Sequence, residues 1–326
     1  MSTEIEEKLE KIPIINWAVQ LLKKVKLPAF EGLSLYDLIE MYIFGIVQGA
    51  LSTRASSIAF SLFMALFPLL IFLVTLVPFA IPYVRVGNEN FDAQFLSFLE
   101  SFLPTATSEY FGEIYQQIKD QKQGGLLSSA FFISIILMTN GVSAIFAGFE
   151  NSYHVKLTRN FFRQYAYALM VGLLLSLLLL FGAVVYVYFE FYILDVLNEF
   201  TAKTNGSNVD ENSVVWARAG KILFFALLSY LTTAVLYYFG TAEGREARFF
   251  SAGALMTTLL FLLTSYLFGV YIEKFARYNE LYGALGGLLI LMVFIWLNSN
   301  ILLLGFELNG SLNSLRKNVK NDDKAT

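Results

Sequence analysis

The feature that most constrains the fold is a long stretch of chain without charge. No Asp, Glu, Lys or Arg occurs between Arg54 and Arg85, and residues 58–81 read IAFSLFMALFPLLIFLVTLVPFAI. A helix needs roughly 20 consecutive apolar residues to cross about 30 Å of hydrocarbon. Because no signal-peptide pattern precedes this stretch, we predict a membrane-spanning helix rather than a cleaved leader.

The same pattern recurs five more times along the chain. The further predicted spans are residues 126–149, 165–189, 222–239, 249–272 and 285–306. Composition agrees, because 56% of residues are hydrophobic and 15% are charged, whereas a soluble domain carries about 25% charged residues. We therefore predict an all-α, polytopic membrane bundle of six transmembrane helices.

The predicted organisation has three parts. Residues 1–53 form a cytoplasmic segment in which residues 34–48 are predicted to make an amphipathic helix on the membrane surface. Residues 54–312 form the membrane domain, with a helical outer loop at about 91–122. Residues 313–326 form a basic cytoplasmic tail.

The distribution of Lys and Arg predicts the orientation of the spans. These residues concentrate in the N-terminal segment, in the second and fourth loops and in the tail. Acidic residues collect in the first and third loops. Since cytoplasmic loops carry an excess of Lys and Arg, both termini are predicted to face the cytoplasm of a bacterial inner membrane.

The chain lacks the residues that several classes of function require. The chain has no Cys and one His, His154, so thiolate and multi-histidine metal sites are excluded. It contains no G-x-x-x-x-G-K-[ST] phosphate loop. Its net charge is −3, and no basic face for nucleic acid is evident. We predict a protein that is not an enzyme, with no cofactor or metal, with membrane lipids as partners and with the oligomeric state left open.

Polar residues in or beside the spans are the candidates for function, because each loses water in lipid and must find a partner. In the second span Asn140 shares a helical face with Ala147, and in the sixth span Asn298 shares a face with Asn309. These stripes predict either a lined pathway or close helix packing. The pathway or gate candidates are Arg54, Asn140, Glu150, Asn279, Asn298, Asn300, Glu307 and Asn309.

Other residues are predicted to shape helix contacts. Small residues let two helices approach closely, and a proline removes a backbone donor from the helix. The packing candidates are Pro68, Gly283, Gly286, Gly287 and Gly305. Arg54 has two interpretations. Its side chain either reaches to cytoplasmic headgroups or binds an anionic headgroup or substrate.

Three stretches together resemble the YihY/BrkB family of inner-membrane proteins. The first is RASSIAFSLFMALFPLL from Arg54, and the second is NGVSAIFAGFENSY from Asn140. The third, residues 278–312, carries Tyr-Asn, Tyr-Gly, a Trp and a closing Leu-Gly-Phe-Glu-Leu-Asn. The family commonly has a small residue where Phe306 stands. The resemblance covers about residues 37–312 and implies the same six-span bundle.

The resemblance implies an envelope protein linked to export or lipid handling. Together with the polar stripes, it favours a transporter or lipid-handling protein for an amphipathic substrate. The alternative is a membrane scaffold or envelope assembly factor without transport. Some family members were formerly labelled ribonuclease BN, but this chain lacks clustered metal ligands and a basic RNA-binding face.

Overall fold

A computed structural model describes residues 50–80, 124–152, 158–203, 211–242, 249–275 and 284–325, with the single positions 36, 97, 155 and 244. These residues form six long helices, and the described part of the chain contains no strand. The helices are α1 (Leu51–Ala80), α2 (Gly124–Glu150), α3 (Phe161–Lys203), α4 (Glu211–Gly240), α5 (Ala252–Phe275) and α6 (Ala284–Ala325).

The prediction of an all-helical, six-span architecture is confirmed. All six helices are long and apolar enough to cross a membrane. Several helices extend past the predicted spans, with α3 reaching Lys203 and α6 reaching Ala325. Phe249 and Phe250 were predicted to open the fifth span, but they precede the first residue of α5. Phe249 and Phe250 are as apolar as the residues of the span that follows, so hydropathy alone does not show that the helix begins at Ala252.

The helices form a closed ring in chain order. Each of α1 to α5 packs on the helix that follows it, and α6 returns to pack on α1. Because successive helices run in opposite directions, the start of α1 and the end of α4 lie at the same end of the ring. We call this end the Arg54 end, and we call the opposite end the Lys221 end.

Glycines on α2 help to explain why α1 and α2 make the most extensive contact of the ring. A Cβ atom at Gly141 would lie 2.7 Å from the Cβ atom of Ala65, and one at Gly148 would lie 2.5 Å from Cδ1 of Ile58. Real Cβ atoms essentially never approach this closely. Gly141 and Gly148 therefore let the two helices approach to a distance that larger side chains forbid.

The packing candidates within the described residues are buried. Pro68 lies inside α1, which continues through it without a break. Gly286 and Gly287 are buried near the start of α6. Other predictions lie outside the described residues: Gly283, Asn279, His154, the surface helix at 34–48 apart from Tyr36, and the outer loop at 91–122 apart from Ser97.

Candidate functional site

The ring of helices surrounds a central cavity of about 700 Å³. Ligand sites for small molecules occupy about 300–1,000 Å³ and are mostly apolar. All six helices contribute to the wall, for example Leu66 of α1, Val142 of α2 and Leu175 of α3, and then Phe225 of α4 and Phe261 of α5. On α6 the wall includes Phe294, Asn298 and Leu302.

The polar groups of this wall are mostly turned to their own helices. Ser176 Oγ donates to the carbonyl oxygen of Gly172 at 2.8 Å, and Thr233 Oγ1 donates to that of Ser229 at 2.7 Å. Asn298 Nδ2 likewise donates to the carbonyl oxygen of Phe294 at 2.8 Å. These bonds satisfy one donor of each of these three side chains, and most other residues of the wall are apolar, so the surface offered to a ligand is chiefly apolar.

A buried ion pair closes the Arg54 end. Arg54 Nη2 of α1 donates to Glu307 Oε1 of α6 at 2.6 Å, and Arg54 Nη1 donates to the carbonyl oxygen of Gly148 at 2.9 Å. The Glu307 side chain has no solvent exposure and that of Arg54 has 7%. One side chain therefore ties α1 to both α2 and α6 where water is excluded.

Two serines complete the surroundings of Glu307. Ser152, just after α2, donates to Glu307 Oε2 at 2.8 Å, and Ser311 donates to the Glu307 backbone carbonyl at 2.9 Å. Both carboxylate oxygens therefore accept a hydrogen bond, as a buried carboxylate requires. Arg54 Nε is buried without a hydrogen-bond partner.

An aromatic cluster lies beside this network. The rings of Phe149 and Phe306 stack with centroids 4.2 Å apart and an interplanar angle of 5°. The ring of Tyr237 from α4 meets both at steep angles. Its hydroxyl donates to the Leu302 carbonyl oxygen at 2.7 Å and shares a hydrogen bond with Thr257. Phe306, bulkier than the residue usual in the resembled family, is thus part of the closure.

Contacts between α5 and α6 extend the closed region. Gly253 N donates to Asn309 Oδ1 at 2.8 Å, and Asn309 Nδ2 donates to Ser251 Oγ at 2.9 Å. A Cβ atom at Gly305 would collide with Thr257 Oγ1 and the Tyr237 hydroxyl. Gly305 therefore permits the close approach that was predicted for it.

Arg159 caps the end of α4 from the segment before α3. Its guanidinium donates to the carbonyl oxygens of Phe239 and Thr241, at 2.7 and 2.5 Å, and lies 4.2 Å from the centroid of the Tyr167 ring. The last carbonyls of a helix have no partner within the helix. A guanidinium at this position satisfies them and complements the negative end of the helix dipole.

The structure brings some predicted site residues together and separates others. Arg54 and Glu307 bond directly, Asn309 belongs to the neighbouring α5–α6 contact, and Asn298 lines the cavity. Asn140 lies exposed on the outside of the ring and does not line the cavity.

Two more candidates also lie away from the cavity wall. Asn300 donates to the carbonyl oxygen of Trp296 in its own helix at 2.8 Å. Glu150 accepts a hydrogen bond from the Arg159 backbone nitrogen at 3.3 Å. The cavity geometry therefore gives Asn140, Asn300 and Glu150 no support as pathway residues.

The interpretation of Arg54 as a residue that reaches to the headgroups needs correction. Arg54 lies inside α1 and inside the candidate span Leu51–Leu73, and its guanidinium points into the bundle toward Glu307. The physical reason is that the Glu307 carboxylate and the Gly148 carbonyl oxygen lie within reach there, so the charge is compensated within protein.

Sequence reasoning missed Ser152, Tyr237, Arg159 and Lys221. Lys221 carried the clearest signal, because it is a charged residue at the edge of an apolar run. Ser152 and Tyr237 carry no signal of their own, since their partners are far away in sequence. Among the residues that the structure describes, no group of three or more His, Cys, Asp or Glu could hold a metal ion.

Comparison with known proteins adds to this geometry. The model of the family described as Virulence factor BrkB matches residues 45–326. The chain belongs to the BrkB family. This confirms the resemblance seen in the sequence. The matched region includes all six helices, and therefore also the Arg54–Glu307 pair and the cavity wall.

Relatives of this BrkB family member are distant but nearly full length. A Bacillus subtilis (strain 168) protein, named ribonuclease-like protein YfkH, is 25% identical over 81% of this chain and 91% of its own length. A UPF0761 membrane protein of Coxiella burnetii is 27% identical over 77% of this chain and 84% of its own. No solved structure matches the chain.

Proposed function

We propose that this BrkB-family membrane protein is a transporter, or a lipid-handling protein, for an amphipathic substrate. The observation that carries the proposal is the central cavity of about 700 Å³, with a chiefly apolar wall, inside a ring whose Arg54 end is sealed. A scaffold has no need of such a cavity, because packed interiors keep few voids larger than a water molecule.

The Arg54–Glu307 pair is the gate in this proposal. Alternating access requires one end of a bundle to open while the other closes. The pair joins α1 to α6, the two helices that close the ring, so separating it would open the ring at its seam. Hydration of both charged groups would offset the loss of their mutual attraction in the open form.

We also propose that the protein lies in the bacterial inner membrane with its Arg54 end toward the cytoplasm. The excess of Lys and Arg on that side supports this orientation. The chain has no Cys, so single cysteines at Ser207 and Ser314 can be labelled separately in intact cells. We expect an impermeant maleimide to reach Ser207→Cys only. Labelling of Ser314→Cys from outside would contradict the orientation.

Reconstitution into liposomes tests transport directly. The full chain is expected to move a fluorescent single-chain lipid between leaflets faster than empty vesicles do, measured by chemical quenching of the outer leaflet. Ser229→Trp narrows the cavity and should abolish most of the acceleration. Leu263→Trp is the matched control, because that side chain is 52% exposed on the outer face of α5.

A scaffold role predicts a different pattern. If the full chain moves no lipid above empty vesicles, with or without a pH gradient, the transport proposal fails. Asn298→Leu alters the cavity wall, whereas Asn140→Leu alters the outside of the ring. Transport predicts that the first variant loses more activity than the second while both remain folded. A scaffold predicts that both are tolerated.

The ribonuclease-like name of the Bacillus relative leads to one control experiment. We expect purified protein to leave single-stranded and structured RNA intact in Mg²⁺ or Mn²⁺, because such a reaction needs clustered ligands for a water-activating metal. Metal-dependent cleavage that follows the protein through a second purification step would overturn the expectation.

A further inference from the structure

Lys221 is the charged side chain in the wall of the central cavity. It lies inside the candidate span Ala219–Gly240, two residues from its start. Its Nζ atom is 4.9 Å from the centroid of the Tyr186 ring, which is within cation–π distance. An ionisable residue within a membrane span is unfavourable unless it serves a partner or a substrate.

Lys221 contrasts with Arg54, the cation that lies buried between helices within a candidate span. Arg54 donates through its two Nη atoms to Glu307 and to the Gly148 carbonyl oxygen. Among the residues that the structure describes, no carboxylate lies within 4.0 Å of the Lys221 ammonium group. The aromatic ring supplies a weak partner, and a charge near the membrane surface still attracts an anion.

The cavity extends away from Lys221 as an apolar space. On α4 its wall runs from Lys221 to Leu236, which is about 22 Å at 1.5 Å per residue. The side chains between them include Phe225 and Leu228, and the hydroxyl of Thr233 is bonded to its own helix. One end of the cavity therefore offers a positive charge, and the rest offers a chiefly apolar surface.

We propose that this cavity binds a single-chain amphiphile with an anionic headgroup. Lys221 holds the headgroup near one membrane surface, and the chain lies along α4 toward Leu236. An amphiphile in one leaflet likewise has its headgroup at the membrane surface and its alkyl chain pointing inward. It could therefore enter the cavity without moving far across the membrane. The inference rests on the proposed function and names the substrate class of the same site.

Fluorescence quenching tests the proposal with the full chain in phosphatidylcholine nanodiscs. Because the chain has no Cys, Ser229→Cys can carry a single bimane label in the cavity wall. Leu263→Cys carries the same label on the outer face of the bundle and reports partitioning into lipid. The probes are dodecyl phosphate and dodecyl maltoside with brominated chains, and inorganic phosphate is the competitor.

Saturable quenching by dodecyl phosphate is expected at position 229 and not at 263. Lys221→Gln should weaken dodecyl phosphate binding by about tenfold, the loss of one hydrogen bond to a charged group. Binding of the uncharged maltoside should not change, and Lys221→Arg should keep the affinity for the phosphate. Inorganic phosphate should not displace the amphiphile at equal concentration, because it has no chain to bury.

Three results would overturn the inference and can be told apart. Unchanged dodecyl phosphate affinity in Lys221→Gln would remove Lys221 as the headgroup ligand while leaving a cavity that binds amphiphiles. If inorganic phosphate displaces dodecyl phosphate at equal concentration, the alkyl chain contributes nothing to recognition. If neither amphiphile quenches at 229 beyond the level at 263, the cavity is not a binding site and the proposed function fails with it.

Discussion

The two ends of the helix ring are built differently. At the Arg54 end the buried apolar cluster draws residues from all six helices, including Ile58, Phe146, Ala254 and Leu303. Toward the Lys221 end the buried cluster draws on α1 to α4, through residues such as Leu73, Met138, Tyr186 and Leu228, and none of its members comes from the described parts of α5 and α6. At this level α5 and α6 instead contribute residues such as Phe261 and Phe294 to the wall of the cavity.

Polar contacts follow the same division. The Arg54 end holds an ion pair, a serine-bound carboxylate, and a tyrosine bonded to two other helices. Such networks tie several helices together, because removing one member strands the others in an apolar medium. Among the side chains that the structure describes, the Lys221 half is held chiefly by apolar packing. The comparison teaches that the polar contacts between helices concentrate at the Arg54 end, whereas the charged side chain of the cavity wall lies toward the other end.

The largest expected effect comes from breaking the ion pair at the closed end. Glu307→Gln leaves the Arg54 charge buried without its partner, which should lower the free energy of unfolding by about 3–5 kcal/mol. Unfolding in mixed micelles with increasing SDS measures the change. The double variant Arg54→Met/Glu307→Leu should lose less stability than the summed losses of Arg54→Met alone and Glu307→Leu alone. Additive losses would mean that the two groups are not coupled.

Two glycine substitutions contrast the closed half with the cavity half. Gly305→Ala places a methyl group against Thr257 and the Tyr237 hydroxyl, and should destabilise by about 1–3 kcal/mol. Gly172→Ala faces the cavity, where the new Cβ would lie 3.7 Å from Val142 Cγ2, an ordinary contact. It should be neutral or stabilising, since Ala favours the helix. The same unfolding titration compares them, and equal losses would contradict the contrast.

Arg159 tests how firmly the end of α4 is held at the closed end. Arg159→Ala removes the donors to the Phe239 and Thr241 carbonyls and should destabilise by about 1–2 kcal/mol. Arg159→Lys keeps the charge but loses the forked geometry, so we expect partial retention. Heating in detergent followed by size-exclusion chromatography measures both. A loss from Arg159→Lys as large as that from Arg159→Ala would show that charge near the helix end contributes little.

The smallest expected effect concerns the start of α1. Ala50 has a positive φ of 45°, a region that Gly adopts without steric conflict and Ala does not. Ala50→Gly should stabilise by about 0.5 kcal/mol, because the relief of strain is partly offset by greater freedom of the unfolded chain. Ser52→Gly, exposed within the first turn of the helix, is the matched control and should destabilise. A loss of stability in Ala50→Gly would contradict the argument.

One physical rule, applied to the sequence, selected several residues that the structure places at the candidate site. A charge or amide in an apolar span needs a partner, and this rule selected Arg54, Glu307, Asn298 and Asn309. The same rule also selected Asn140, which lies exposed on the outside of the ring. Helical periodicity gives the face on which a residue lies but not which neighbour, if any, covers that face.

The sequence by itself determined the six spans and the all-helical class. It could do so because transfer into lipid depends on local hydropathy, and because only internally bonded backbone is stable there. Tertiary structure alone decided the ring order, the cavity, and the choice of Glu307 as the partner of Arg54 across a separation of 253 residues. Those features depend on which faces meet, and that follows from the packing of the whole bundle rather than from any single segment.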